Sequence, residues 1–103
     1  MSNKLLYNIT MNVENNIEDQ WLEWMKTEHL SRVMETGHFV DYKFFRIFSS
    51  EPEGVSYSIQ FFANTMKDVQ LFEGTKAPSI DADLSAKFGS KVVFFKTLLE
   101  EVG

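Results

Sequence analysis

The stretch NIEDQWLEWMKTEHLSRVMET, residues 16–36, predicts one long amphipathic helix around which the rest of the chain is arranged. At about 100° per residue, one arc of this helix collects mainly apolar side chains. The arc comprises Trp21, Leu22, Met25, His29 and Val33, with Ile17, Trp24 and Leu30 at its borders. His29 is therefore expected near the middle of the buried arc.

The ends of the predicted helix carry capping signals. Asn15 or Asn16 can cap the N-terminus, and Glu18 and Asp19 in the first turn suit the positive end of the helix dipole. Gly37 follows the last turn, where a glycine in the left-handed conformation commonly ends a helix.

Composition indicates a single folded domain over residues 1–103. Hydrophobic residues make up 44% of the chain and ten are Phe, so a packed core is available. The formal net charge is −5, which disfavours binding to a phosphate backbone. The chain has no cysteine, which excludes disulfides, thiolate catalysis and cysteine-based metal sites. The N-terminal residues 1–13 resemble neither a signal peptide nor a membrane span, so we expect a cytoplasmic protein.

Apolar residues alternate with polar ones along Lys4–Val13, which predicts a strand. Val40–Ser49 and Val55–Ala63 predict two more strands, and the Pro-containing turn at 50–54 favours an antiparallel hairpin. A fourth strand is predicted at Lys91–Leu99. Because apolar residues occupy both phases of the second and fourth strands, neither face of the sheet is expected to be fully polar.

Two short helices separate the third and fourth strands. Thr65 with Asp68 resembles a capping box and opens a helix through about Glu73. A second helix is predicted over Ser79–Phe88, with Gly89 as its stop. The order βαββαβ predicts an α+β, ferredoxin-like fold, in which a four-stranded antiparallel sheet carries its helices on one face.

The face of the sheet away from the helices predicts an assembly. It is expected to carry Phe45, Ile47, Phe62 and Phe95, and the chain has no further element to cover them. Burying each would favour association by roughly 1.5–3 kcal/mol before entropic costs. We therefore expect a symmetric homodimer packed through this face, which makes a dimeric α+β barrel.

The segments WLEWMKTEH and METGHF, with YSIQFFA downstream, resemble an uncharacterised family of short bacterial proteins in the dimeric α+β-barrel superfamily. The resemblance covers nearly the whole chain and is most specific at Trp21, Trp24, His29 and Gly37. Superfamily relatives include haem-degrading and quinol monooxygenases, small decarboxylases and dehalogenase-like proteins. The resemblance implies a ligand between the sheet and the helices, without implying a reaction.

His29 is the candidate catalytic residue, because an imidazole with an ordinary pKa near neutrality can act as a general acid or base. The alternative is a structural histidine bonded to a backbone carbonyl, to Tyr7 or to Tyr57. The candidate ligand contacts are the aromatic, thioether and amide side chains nearby: Trp21, Trp24, Met25, Tyr7, Tyr57 and Gln60.

Two hypotheses follow from these residues. The first is a protein that binds a small apolar or aromatic ligand between the first helix and the sheet, with cofactor-free oxygenase or isomerase chemistry at His29. The second is a non-catalytic module whose acidic surface serves a protein partner. No second His lies at metal-ligand spacing from His29, so no metal site is expected, and no cofactor is required by the sequence.

Overall fold

The computed structural model describes residues 4–49 and 53–103, which form four strands and a set of helices. Residues 50–52 of the predicted hairpin turn lie outside the described residues. The strands are β1 (Leu5–Val13), β2 (Asp41–Ile47), β3 (Val55–Ala63) and β4 (Val92–Glu100). The helices are α1 (Glu18–Trp24), α2 (Leu30–Met34), α3 (Met66–Thr75) and α4 (Ala77–Phe88). Short 3-10 turns occupy Asn15–Ile17 and Gly89–Lys91, and a π turn occupies Met25–His29.

The strands form one antiparallel sheet in the order β2-β3-β1-β4. Strand β1 is central and pairs Ile9 with Ile59 of β3 on one side and with Lys96 of β4 on the other. The βαββαβ order and the ferredoxin-like fold are therefore confirmed. The predicted bounds of β3 match the observed ones, and those of the other three strands differ by at most two residues at either end.

Alternation along the strands sends one set of side chains to the helices. Burial along β1 alternates strictly over its first seven residues, and Tyr7, Ile9 and Met11 are on the buried side. Tyr7 packs against Phe72 of α3, with ring centroids 5.6 Å apart. Trp21 of α1 packs against Tyr57 of β3 at 4.8 Å. The core therefore lies between one face of the sheet and all of the helices.

The predicted single long helix is interrupted, which was not foreseen. At the π turn the N–H of Leu30 donates to the carbonyl oxygen of Met25, five residues back instead of four. The sheet-facing side of the helix is therefore occupied by Met25 and then by Leu30. His29 lies at a different angle around the helix axis from the one that a regular helix would give it. We call the unit from Glu18 to Met34 the long helix.

The capping predictions hold at two of these helix ends. Gly37 follows the long helix with φ of 80°, in the left-handed region predicted for it. The Thr65 side chain accepts a hydrogen bond from the N–H of Asp68 at 3.1 Å, as a capping residue does. No helix within the described ranges is long and apolar enough to cross a membrane.

The opposite face of the sheet, which we call the open face, is uncovered. Its apolar residues lie mainly on the two edge strands, with Phe45 47% exposed on β2 and Phe95 62% exposed on β4. The central strands carry a row of uncharged polar residues there: Asn8, Thr10, Asn12, Ser56, Ser58 and Gln60. The Ser58 hydroxyl donates to Asn8 at 2.6 Å within that row.

Deleting Thr27 tests the role of the π turn. The residue is exposed, and its removal brings Leu30 to four residues after Met25, which is the spacing of a regular α-helix. We expect the variant to fold with an unchanged or higher melting temperature, because the core positions are kept and the weaker π hydrogen bonds are removed. A large loss of helical circular dichroism would show that the extra residue is needed for folding.

Candidate functional site

The structure distributes the predicted site residues over four places instead of one cavity. Tyr7, Trp21 and Met25 belong to the core, and Gln60 lies on the open face. Tyr57 reaches the edge of a groove between the long helix and β2. Trp24 and His29 line a different groove, between the π turn and α4.

Trp21 and Met25 are fully buried, at 0% exposure. The indole N–H of Trp21 and the hydroxyl of Tyr7 are buried without a hydrogen-bond partner among the described residues. Such groups are uncommon in folded proteins, because each forfeits a hydrogen bond to water. Tyr7 and Trp21 pack in the core, and neither is in the lining of the two grooves described below.

Tyr57 forms a polar cluster with Glu18 and Arg46. Its hydroxyl donates a hydrogen bond to Glu18, and the Arg46 Nε donates to the Tyr57 oxygen at 3.4 Å. The Arg46 guanidinium also lies 3.6 Å from the Glu18 carboxylate. Burial raises the pKa of Tyr57, and the hydrogen bond to Glu18 acts in the same direction. Tyr57 is therefore held as a neutral phenol.

The groove beside this cluster is small and apolar with a cationic rim. We call it the α1–β2 groove; its volume is about 210 Å³. It is lined by Leu22, Lys26, Phe44, Phe45, Arg46 and Tyr57. Both charged residues of the lining are cations, and no carboxylate is among its described lining residues. This volume suits a single aromatic ring with one polar substituent.

His29 lies on the opposite flank of the long helix. The groove beside it, which we call the π-turn groove, has a volume of about 740 Å³. The His29 ring is tilted against Trp24 at 5.0 Å, and Trp24 in turn packs edge-on against Phe88 of α4. Neither ring nitrogen of His29 has a hydrogen-bond partner among the described residues.

Burial lowers the pKa of His29 to about 4, against an ordinary value of 6.5. Asp81 of α4 opposes this shift and Arg32 adds to it. The ring is therefore uncharged at neutral pH, which differs from the near-neutral pKa expected from the sequence. An imidazole of this pKa is a hydrogen-bonding group and a weak base.

Glu18 and Arg46 are the site residues that sequence reasoning passed over. Glu18 was assigned to the helix dipole, and Arg46 was not among the predicted site residues. Strand pairing places Arg46 directly opposite Tyr57, which the hairpin alone could have suggested. The other cation on a strand facing the helices, Lys96 of β4, contacts Asp81 at 2.6 Å and Glu73 at 3.2 Å.

The family of this chain is established by sequence comparison. A family model described as a domain of unknown function, DUF4286, matches residues 4–102, so the chain belongs to that family. This agrees with the resemblance to an uncharacterised family. A comparison with curated proteins gave no match.

Solved structures with the same fold are numerous. A protein of the ethyl tert-butyl ether d (EthD) family from Bacillus halodurans is 15% identical, with a TM-score of 0.70 over 95% of this chain and 99% of that chain. A monooxygenase of Streptomyces coelicolor, in complex with nanaomycin D, is 8% identical, with a TM-score of 0.66 over 99% and 90%. A dimeric ferredoxin-like protein from an uncultured marine organism is 11% identical, with a TM-score of 0.59 over 98% and 97%. At these identities the similarity establishes the fold.

The lowered pKa of His29 predicts how stability depends on pH. Between its ordinary pKa of 6.5 and about 4, the unfolded chain binds a proton that the folded chain excludes. Stability is therefore greatest above about pH 6.5 and falls as the pH drops towards 4. Between pH 7 and pH 5 we expect His29 to remove about 2 kcal/mol from the free energy of unfolding.

Urea unfolding of wild type and His29→Asn at the two pH values measures this contribution. Between pH 7 and pH 5, the free energy of unfolding of the His29→Asn variant should decrease by less than that of wild type, the difference being the contribution of His29. The matched control is His38→Asn, because His38 follows the long helix and contacts Asp68 and Phe72 of α3. Equal pH dependence in wild type and His29→Asn would contradict the lowered pKa.

Proposed function

We propose that this member of the DUF4286 family is a single-domain, cytoplasmic homodimer, residues 1–103, that binds a small aromatic acid in the α1–β2 groove. The observation that carries the proposal is the Tyr57–Glu18–Arg46 cluster beside an apolar groove with two cations. The groove lies between the first helix and the sheet, where the sequence predicts a ligand.

The chemistry of the lining selects an aromatic anion. Phe44 and Phe45 supply ring contacts, and Leu22 closes the apolar wall. The guanidinium of Arg46 is 54% exposed at the rim, and a guanidinium has five N–H donors in a planar arrangement that matches a carboxylate. Lys26 adds a second positive charge. A cationic ligand would meet two like charges here.

Proton transfer is the chemistry that this cluster can add to binding. Glu18 accepts the hydroxyl hydrogen of Tyr57, so a proton that leaves a ligand in the groove passes to the Tyr57 oxygen while the Tyr57 proton passes to Glu18. For the cofactor-free oxygenase or isomerase chemistry suggested by the sequence, this assignment replaces His29 by Glu18. The Streptomyces coelicolor monooxygenase of the same fold, in complex with nanaomycin D, supports the view that this fold can hold a small organic ligand.

The second candidate function is a non-catalytic interaction module. The formal net charge of −5 favours it, because an acidic surface can attract a basic protein partner while the open face is occupied by the homodimer. The two candidates differ in one respect that can be measured, which is whether any small aromatic compound binds at the α1–β2 groove.

Calorimetric titration with benzoate, benzyl alcohol and benzylamine tests the proposal. We expect benzoate to bind more tightly than the other two, because it alone matches Arg46 and Lys26. Arg46→Gln should weaken benzoate binding about tenfold or more, the loss of a charge-assisted hydrogen bond. The matched control is Arg32→Gln, because Arg32 lies in the other groove, paired with Asp83. If none of the three compounds binds, or if Arg46→Gln binds benzoate as wild type does, the module is the better account.

Homodimer formation through the open face is the second part of the proposal. Phe45, Phe95 and their apolar neighbours on the two edge strands are exposed in the single chain. The helices all pack on the other face, so a second copy is the partner that can cover these residues symmetrically. The dimeric ferredoxin-like protein of the same fold supports this assembly.

Light scattering at micromolar concentration tests the dimer. We expect a particle of twice the 12.0 kDa chain mass. Phe95→Asp should give a folded monomer, because it places a charge in the apolar contact. Leu71→Asp, on the exposed side of α3 and also partly exposed in the single chain, should remain dimeric. A wild-type particle of 12 kDa would exclude the assembly.

A further inference from the structure

The π-turn groove is a second candidate site, separate from the α1–β2 groove. It runs between the π turn, α2 and α4 on the outer side of the long helix. Its lining consists of Trp24, Thr27, Glu28, His29, Ser31, Arg32, Glu35, Asp83, Ala86 and Lys87. No residue is shared with the lining of the α1–β2 groove.

The feature that marks this groove as a site is the His29 ring in its wall. The residue is only 4% exposed and makes no hydrogen bond to another described residue, and its ring nitrogens are not among the fully buried atoms that lack a partner, so they are open to the groove. Buried polar side chains in folded proteins are nearly always hydrogen-bonded. The groove is the place from which a partner for this imidazole can come.

The π turn is what puts the imidazole there. In a regular helix, a residue four positions after Met25 lies on nearly the same side of the axis as Met25. His29 would then be on the flank away from Trp24. The extra residue of the turn moves Leu30 into the core and brings His29 beside Trp24, at 5.0 Å between ring centroids. Turns of this kind are rare and are found frequently at functional sites.

The aromatic wall selects a planar ligand. Trp24 is half-buried and is held edge-on by Phe88 at 5.4 Å, so its ring is fixed before any ligand arrives. Fixed aromatic rings bind other rings at low entropic cost, by offset stacking or edge contacts.

The charges around the groove disfavour an anion. The one arginine of the lining, Arg32, is already paired with Asp83 and donates to Ser79 at 3.2 Å. Glu28 and Glu35 have no ionic partner among the described residues, and Lys87 lies over the Phe88 ring at 5.8 Å. Asp81 faces His29 from α4 but is bound to Lys96. The residues that line the groove therefore carry one more negative charge than positive charges. An uncharged ligand is preferred over a carboxylate for this reason.

We propose that the π-turn groove binds a small uncharged aromatic compound that bears a hydroxyl group, with its ring against Trp24 and its hydroxyl on the His29 imidazole. A neutral imidazole has one donor and one acceptor nitrogen, and a hydroxyl can complement either of them. The site does not depend on the α1–β2 groove, and the two sites differ in the charge of the ligand that each selects.

Titration with phenol, toluene and benzoate, followed by NMR of the His29 and Trp24 ring resonances, tests this inference. We expect phenol to shift both resonances and to bind about five- to tenfold more tightly than toluene, the effect of one hydrogen bond. At these two resonances benzoate should bind more weakly than phenol, whereas its binding at the α1–β2 groove leaves them unmoved. The ratio of the phenol and toluene affinities is used because a general loss of packing would affect both compounds equally.

Two variants test whether the preference for phenol over toluene depends on His29. In His29→Leu the preference for phenol over toluene should fall to about one, whereas His38→Leu, outside the groove, should keep the wild-type ratio. The inference is overturned if phenol leaves the His29 and Trp24 resonances unmoved at millimolar concentration. It is also overturned if His29→Leu retains the preference for phenol, or if benzoate shifts the His29 and Trp24 resonances at concentrations as low as phenol does.

Discussion

One hydrogen bond, from the N–H of Leu30 to the carbonyl oxygen of Met25, sets how the long helix meets the sheet. A helix that packs along a sheet must return an apolar side chain to the same side at every turn. From Trp21 to Met25 it does so with a regular step of four residues. At the next turn a step of four would place an imidazole in the core. The π turn takes five residues instead, and Leu30 fills the core position.

That step gives the two flanks of the long helix different chemistry. On the flank towards β2 and β3, the phenol of Tyr57 is joined to Glu18 and Arg46, and the adjoining groove has a cationic rim. On the flank towards α4, the uncharged imidazole of His29 meets the indole of Trp24 beside a groove with a small acidic surplus. The core between the flanks, with Trp21 and Met25 fully buried, holds the two grooves apart.

Much of the fold could be predicted from the sequence, because burial on a strand repeats every two residues. Alternation along Lys4–Val13 predicts a strand with one apolar side, and Tyr7, Ile9 and Met11 on that side are buried. The capping role of Thr65 and the turn at Gly37 depend on local chemistry and were equally predictable. The position of His29 was not predictable in this way, since a fixed angle per residue cannot represent an inserted residue.

The candidate sites were harder to predict for a related reason. Tyr57 was chosen as a polar strand residue, but its partner Glu18 lies 39 positions away, and only the packing of α1 against β3 brings the two together. Trp21 and Trp24 are alike in sequence, yet one is sealed in the core and the other borders a groove. Aromatic residues at helical spacing show that a face is buried without showing which ring is reached by a ligand.

The central claim is that the π turn takes His29 out of the sheet-facing core and holds it uncharged beside Trp24. An NMR titration of the His29 ring proton, combined with NOE contacts to the Trp24 indole, tests this most directly. We expect an apparent pKa near 4 and strong contacts between the two rings. A pKa near 6.5, or ring contacts from His29 to sheet residues such as Ile9 in place of Trp24, would contradict it.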